Sequence, residues 1–202
     1  MNPDQRPDDS LTPPAGSSSR AKVVCVFCGA RKGADPRWMQ LAAELGRGLA
    51  RQGHILLYGG GHVGLMGELA DAALAAGGKV IGVIPESLMR REVGHRGLTE
   101  LEVVPDMHLR KQRMIERSQA FITLPGGLGT LDELFEVLTL AQLGEHHHPM
   151  ILLDPVGYFD SLNSLLEQIV AQGFASAPDV RALVKARSVD EALASLGDRM
   201  QG

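Results

Sequence analysis

The sequence predicts an α/β protein in three layers, a parallel sheet with helices on both faces. Short apolar, β-rich runs alternate with longer segments of helical period from Lys22 onward. Two of these runs pass directly into glycine-rich turns that open helices. At 202 residues, with 44% hydrophobic and 22% charged residues, the chain suits one domain with a core of its own.

In chain order, Met1 to Arg20 is rich in Pro, Ser and Asp and holds one large aliphatic residue, Leu11, after the initial Met. It cannot bury enough surface to offset its ordering entropy, so residues 1–20 are expected to form a disordered tail and 21–202 a single domain. The runs Lys22–Phe27, His54–Tyr58, Lys79–Ile84, Leu101–Val104, Ala120–Leu124, Met150–Leu153 and Ala182–Ala186 are expected to be buried strands. After the first, Asp35-Pro36 offers an N-cap with Pro at the first helical position, and Trp38, Leu41, Ala42, Leu45 and Leu49 recur at three- and four-residue steps. Further helices are expected over about Gly64–Ala76, Met107–Ser118, Thr130–Leu143, Gly157–Gln172 and Ser188–Leu196, the last opening with a Ser188–Glu191 capping box.

Composition narrows the function. Lys+Arg 20 against Asp+Glu 24 leaves a net charge of −4, which argues against nucleic acid as a partner, because phosphate-backbone affinity rests on positive surface. No apolar run reaches the roughly 18 residues of a spanning helix, so no membrane partner is expected. No apolar segment follows a basic start, so no secretory signal is read. Two cysteines make no disulfide framework, which fits a cytoplasmic location.

In open parallel sheets ligands bind beyond the carboxyl ends of the strands. The loop Gly59-Gly60-Gly61-His62-Val63-Gly64 matches G-x-G-x-x-G, whose glycines serve either a phosphate or ribose or close helix–strand packing. A dinucleotide site also needs an acidic residue about 20 positions on. Glu86 lies near that place but follows Pro85, and Cys28-Gly29-Ala30-Arg31-Lys32-Gly33 lacks the fingerprint spacing, so no nicotinamide cofactor is expected.

The most specific segment is Pro125-Gly126-Gly127-Leu128-Gly129-Thr130-Leu131-Asp132-Glu133. Its amides from Gly127 to Thr130, at the positive end of a helix, could hold a monophosphate with the Thr130 hydroxyl as a further donor. Equally, Thr130 and Glu133 have capping-box spacing, which would make Glu133 a helix cap and nothing more. Arg110, Arg113 and Arg117 share one helix face, a pattern that serves a solvated, salt-bridged surface. Arg110 stands in the first turn after a strand end, where a permanent cation serves phosphate or carboxylate recognition. The loop Pro85–Glu92 is long enough to fold over this mouth and contribute Glu92. Cys25-x-x-Cys28 lies on and just past a strand, a setting for core packing rather than redox work. His146-His147-His148 reads as a loop without a zinc set, and none of Lys22, Lys32, Lys79, Lys111 and Lys185 has a pyridoxal-phosphate context. No cofactor and no metal are implied.

Taken together, Val24–Gly29, Tyr58–Gly67, Val80–Pro85, Met107–Lys111 and Pro125–Glu133 resemble the LONELY GUY family of cytokinin-activating phosphoribohydrolases, over about Ala21 to Leu196. The resemblance implies a three-layer Rossmann-like fold, a nucleotide-binding catalytic domain over 21–202, and a homodimer with its active site at the subunit boundary. It also implies hydrolysis of the N-glycosidic bond of AMP or N6-substituted relatives to free base and ribose 5-monophosphate. By position, the catalytic pair falls on Arg110 and Glu133. Substrate contacts fall on Glu92, Arg110, Lys111, Gly126, Gly127, Leu128, Gly129, Thr130, Leu131, Asp132 and Thr139. Leu128 stands where plant members have Tyr, Asp132 where they have Glu and Leu140 where they have Trp, departures that bear on side-chain preference. Breaking a ribose–adenine bond builds positive charge at the anomeric carbon, which a carboxylate such as Glu133 would stabilise. A rival reading on the same scaffold is a non-catalytic nucleotide or molybdenum-cofactor carrier, which has no use for the Arg110–Glu133 pair.

Overall fold

A computed structural model describes residues 21–90 and 94–196. The expected tail and Glu92 lie outside the described residues. The elements run β1 (Val23–Phe27), α1 (Arg37–Arg51), β2 (Ile55–Tyr58), α2 (Gly64–Ala75), β3 (Lys79–Pro85), α3 (Glu86–Met89), β4 (Glu100–Val104) and α4 (Met107–Glu116). They continue with β5 (Ala120–Thr123), α5 (Leu128–Gln142), β6 (Met150–Leu153), α6 (Asp160–Ala171), α7 (Ala177–Arg181), β7 (Leu183–Ala186) and α8 (Val189–Ala194). The strands form one parallel sheet in the order β4-β3-β2-β1-β5-β6-β7, with Cys25 level with Leu57 on one side and Phe121 on the other.

Side chains alternate across a strand, so each run of Val, Ile and Leu supplies both faces of the sheet. Val24 and Val26 point into a core closed by Leu41, Leu45 and Leu49 of α1, Leu65 and Leu69 of α2, and Val189 and Leu193 of α8. Cys25 and Phe27 point the other way, against Met114 of α4, Leu134 and Val137 of α5, and Leu166 of α6. The two thiols therefore belong to opposite faces, and burial pushes both of them up, well clear of the thiolate form.

Local chemistry accounts for the helix starts. Helix α1 starts at Arg37 with Pro36 in the cap position, one residue later than expected, and Asp35 Oδ1 accepts the Arg37 amide at 2.9 Å; Asp106 accepts the Leu109 amide at 2.8 Å to open α4. At α8, Ser188 accepts the Glu191 amide at 3.1 Å, while the Glu191 carboxylate reaches the Arg187 amide at 2.7 Å, one residue ahead of the box expected from spacing. A reciprocal box is formed at α7 by Ser176 and Asp179. Helices α3 and α7, of 4 and 5 residues, are too short to show a period and escape the sequence reading.

Strand order reverses between β1 and β5, and the helices that follow these strands leave on opposite faces. A crevice must then open at the carboxyl ends of the two strands, between the Gly29 and Gly126 loops. Those loops are joined at its floor, where the Gly29 amide donates to Pro125 O at 3.2 Å.

Helices α1 and α2 approach closely at Gly46, where an added Cβ would lie 2.3 Å from Leu69 O, a backbone atom that cannot step aside. Gly46→Ala should therefore part the two helices and cost about 1–3 kcal/mol, read as a lower denaturant midpoint with an unchanged slope.

Candidate active site

The crevice is a cleft of about 610 Å³, walled by the loops after β1, β2 and β5 and floored by Arg110 and Glu133. Its first wall depends on glycine. Gly60 and Gly64 hold φ +74 and +64, and the buried Tyr58 hydroxyl donates to Gly61 O at 3.0 Å, so the turn after β2 is fixed from inside. An added Cβ on Gly59 would fall 1.8 Å from Arg110 Nη2. Only glycine leaves room for the guanidinium.

Arg110 sits in the first turn of α4, and it is buried, as is Met114 one turn further on. Its Nε donates to Val83 O at 3.1 Å, its Nη2 to Gly59 O at 3.3 Å, and its Nη1 lies 3.4 Å from Glu133 Oε1. Both partners of the ion pair are about nine-tenths buried, with side chains 9% and 10% exposed. Burial pushes the Glu133 carboxyl up to about 7 against the downward pull of Arg110, with a further upward push from Asp132. A carboxyl held this way changes charge near neutral pH, as acid–base and charge-stabilising groups do. The other arginines of the expected face part company with Arg110. Arg113 pairs with Glu102 at 3.3 Å and Arg117 with Glu100 at 2.7 Å, both on the edge strand β4.

The structure corrects the capping-box reading of Glu133. Helix α5 begins at Leu128, two residues before the expected start, with Gly127 as N-cap and no side-chain cap. Thr130 is thus inside the helix with its amide in the first turn, and Glu133 lies in the second turn, aimed at Arg110. The first amides of α5 have no intrahelical acceptor and open on the cleft, together with Thr130. Gly126 lies so close to Thr130 that a Cβ would meet its Oγ1 at 2.1 Å.

Of the sequence-predicted residues, Arg110, Gly126, Gly127, Leu128, Gly129, Thr130 and Glu133 line this cleft. Lys111, Leu131, Asp132 and Thr139 do not. Lys111 ties α4 to α5 through Asp132 at 3.1 Å and Glu136 at 2.9 Å, and the exposed Thr139 donates to Phe135 O at 2.7 Å. Tyr158 and Trp38, which the sequence reading did not single out for the site, meet edge to face at the cleft with centroids 5.7 Å apart. Tyr158 also donates its hydroxyl to Gly126 O at 2.6 Å, a link between loops 32 residues apart that no local spacing signals. Among the described residues no group of His, Cys, Asp and Glu is arranged to hold a metal ion.

The family model described as "possible lysine decarboxylase" matches residues 66–196. The cytokinin riboside 5'-monophosphate phosphoribohydrolase of Rhodococcoides fascians is 45% identical over 192 residues, which cover 95% of this chain and 97% of that one. An Arabidopsis thaliana protein of the same name is 45% identical over 180 residues, or 89% of this chain and 84% of its own. Among solved structures, the molybdenum cofactor carrier protein of Chlamydomonas reinhardtii superposes with a TM-score of 0.66 at 24% identity, covering 88% of this chain and 96% of its own. The molybdenum cofactor binding protein of Rippkaea orientalis gives 0.65 at 24% identity, over 87% and 94% of the two chains. At that identity these structures show a shared Rossmann-like α/β fold. A decarboxylase working through a Schiff base needs a lysine amine in its cleft. No lysine lines this one among the described residues.

The clearance at Gly59 is directly testable. Gly59→Ala should force the guanidinium off Gly59 O and away from Glu133. Because Arg110 holds the Glu133 carboxyl down, its titration by carboxyl carbon NMR should then move above about 7.

Proposed function

The chain belongs to the family of the cytokinin riboside 5'-monophosphate phosphoribohydrolases, and from that premise we propose that it hydrolyses the N-glycosidic bond of AMP or of N6-substituted riboside 5'-monophosphates. The products are the free base and ribose 5-monophosphate. The observation that carries this reading is the buried Arg110–Glu133 pair on the floor of the cleft.

The phosphate is placed at the turn Gly126–Thr130, where amides and the dipole of a 15-residue helix favour an anion. Binding there holds the ribose over Glu133 and turns remote binding energy into positioning of the anomeric carbon. As the bond to the base lengthens, positive charge grows on that carbon, and the Glu133 carboxylate, in a site of low dielectric, stabilises it. A guanidinium is not a proton donor in such chemistry, so the part of Arg110 is electrostatic: it holds Glu133 in place and enlarges the ionised fraction of a carboxyl that burial alone would keep neutral. The base is left to the apolar lining, which includes Leu65, Met66 and Leu88.

The functional unit is a homodimer with the cleft at the subunit boundary. Supporting this, Leu128 at the cleft rim is 86% exposed and Leu143 at the far end of α5 is 70% exposed. A boundary along α5 would also bring Thr139, which stands away from its own cleft, to a partner's. Two free, buried thiols support a cytoplasmic location, and the negative net charge supports a small nucleotide rather than nucleic acid as partner.

Glu133→Gln separates chemistry from folding. The variant should lose base release from AMP on the order of 10³-fold while remaining folded, with adenine and ribose 5-phosphate followed by chromatography. Its stability should change in a defined direction with pH. In the folded chain Glu133 binds its proton up to about 7, against an ordinary value of 4.5, so its contribution favours folding at low pH and is lost as pH rises through that window. The melting temperature of Glu133→Gln relative to wild type should therefore climb between pH 5 and pH 8. A falling difference would contradict the buried, elevated carboxyl.

A further inference from the structure

Among the described residues, three charged side chains line the cleft: Arg31, Arg110 and Glu133. Arg110 and Glu133 are committed to each other and to two backbone carbonyls. Arg31, in the loop after β1, is exposed, and among the described residues neither a hydrogen bond nor a carboxylate engages its guanidinium. The loop that carries it is anchored two residues earlier, at Gly29. The Leu65 amide donates to Gly29 O at 3.0 Å and the Gly29 amide to Pro125 O at 3.2 Å. A Cβ on Gly64 would fall 2.5 Å from the Arg31 nitrogen, so the start of α2 presses directly on this loop.

We propose that Arg31 is the specificity-determining cation that grips the 5'-phosphate of the substrate and sets the preference for nucleoside monophosphates over nucleosides. The inference rests on the reading given under Proposed function. A phosphate dianion at the start of α5 meets helix amides, and the first turn of that helix brings no acidic residue against it, but partial charges alone leave it undercompensated. Arg110 is already matched by Glu133. The neighbouring Lys32 is not among the cleft-lining residues, and Arg37 is held by Asp35 at 2.6 Å. Among the described residues, Arg31 alone combines a free planar fork of donors with a place in the cleft, on a loop anchored at Gly29. A guanidinium of this kind fits two phosphate oxygens at once.

The test compares wild type, Arg31→Ala, Arg31→Lys and Lys32→Ala in two assays: base release from AMP and from adenosine, and calorimetric binding of ribose 5-phosphate. Arg31→Ala should lose on the order of 10- to 100-fold in kcat/KM for AMP, chiefly through KM, and weaken ribose 5-phosphate by a similar factor. Turnover of adenosine and the melting temperature should be unchanged. Arg31→Lys should recover part of the loss, and Lys32→Ala should match wild type. If Arg31→Ala keeps the wild-type affinity for ribose 5-phosphate and the wild-type ratio of AMP to adenosine, the assignment is overturned. Wild type that binds ribose 5-phosphate but releases no base would instead overturn the hydrolase reading, while the calorimetry still decides the role of Arg31.

Discussion

One guanidinium connects three parts of the molecule that are distant in sequence. Arg110 reaches Gly59 O just past β2, Val83 O within β3 and Glu133 on α5, and it does so from a helix whose remaining arginines face the sheet edge. Two charges removed from water are tolerable only where donors and acceptors are closely matched. The absence of a side chain at Gly59 and the early start of α5 both serve that match. The same burial that makes the pair costly to form keeps the Glu133 carboxyl near neutrality, so the energetic burden and the chemical capacity share one cause.

The sheet supplies the setting. Because strand order reverses between β1 and β5, their loops diverge and leave a cleft, while the Gly29–Pro125 and Leu65–Gly29 hydrogen bonds keep its walls in register. Tyr158 adds a further tie across the mouth through Gly126 O. A site assembled from loops thus rests on backbone contacts between strand ends, the arrangement that holds reacting groups without reorganisation.

Much of the fold was legible in the sequence because parallel strands buried on both faces declare themselves as continuous runs of Val, Ile and Leu. Each of the seven strands lies within a residue of its expected bounds, and the main helices follow the period of their apolar residues. Errors came where local spacing had two meanings. Thr130-x-x-Glu133 satisfies the pattern of a capping box, but Gly127 takes the cap position, so Glu133 is released to face Arg110. That choice is made by the tertiary demand of a buried cation, which no window of nine residues contains. The uncommitted state of Arg31, the Trp38–Tyr158 contact and the clearance at Gly59 are likewise products of loops brought together by the sheet. The resemblance to the LONELY GUY family names Arg110, Glu133 and Lys111 together; in the fold Arg110 and Glu133 share the cleft, while Lys111 pairs with Asp132 and Glu136 between α4 and α5.

A double-mutant cycle on base release from AMP tests most directly whether Arg110 and Glu133 act as a unit. With Arg110→Met, Glu133→Gln and the double variant, each single change should remove nearly all activity and the double should lose little more, because either change disables the same pair. Losses that multiply, with the double variant slower by the product of the two single factors, would show two independent contributions and contradict that coupling.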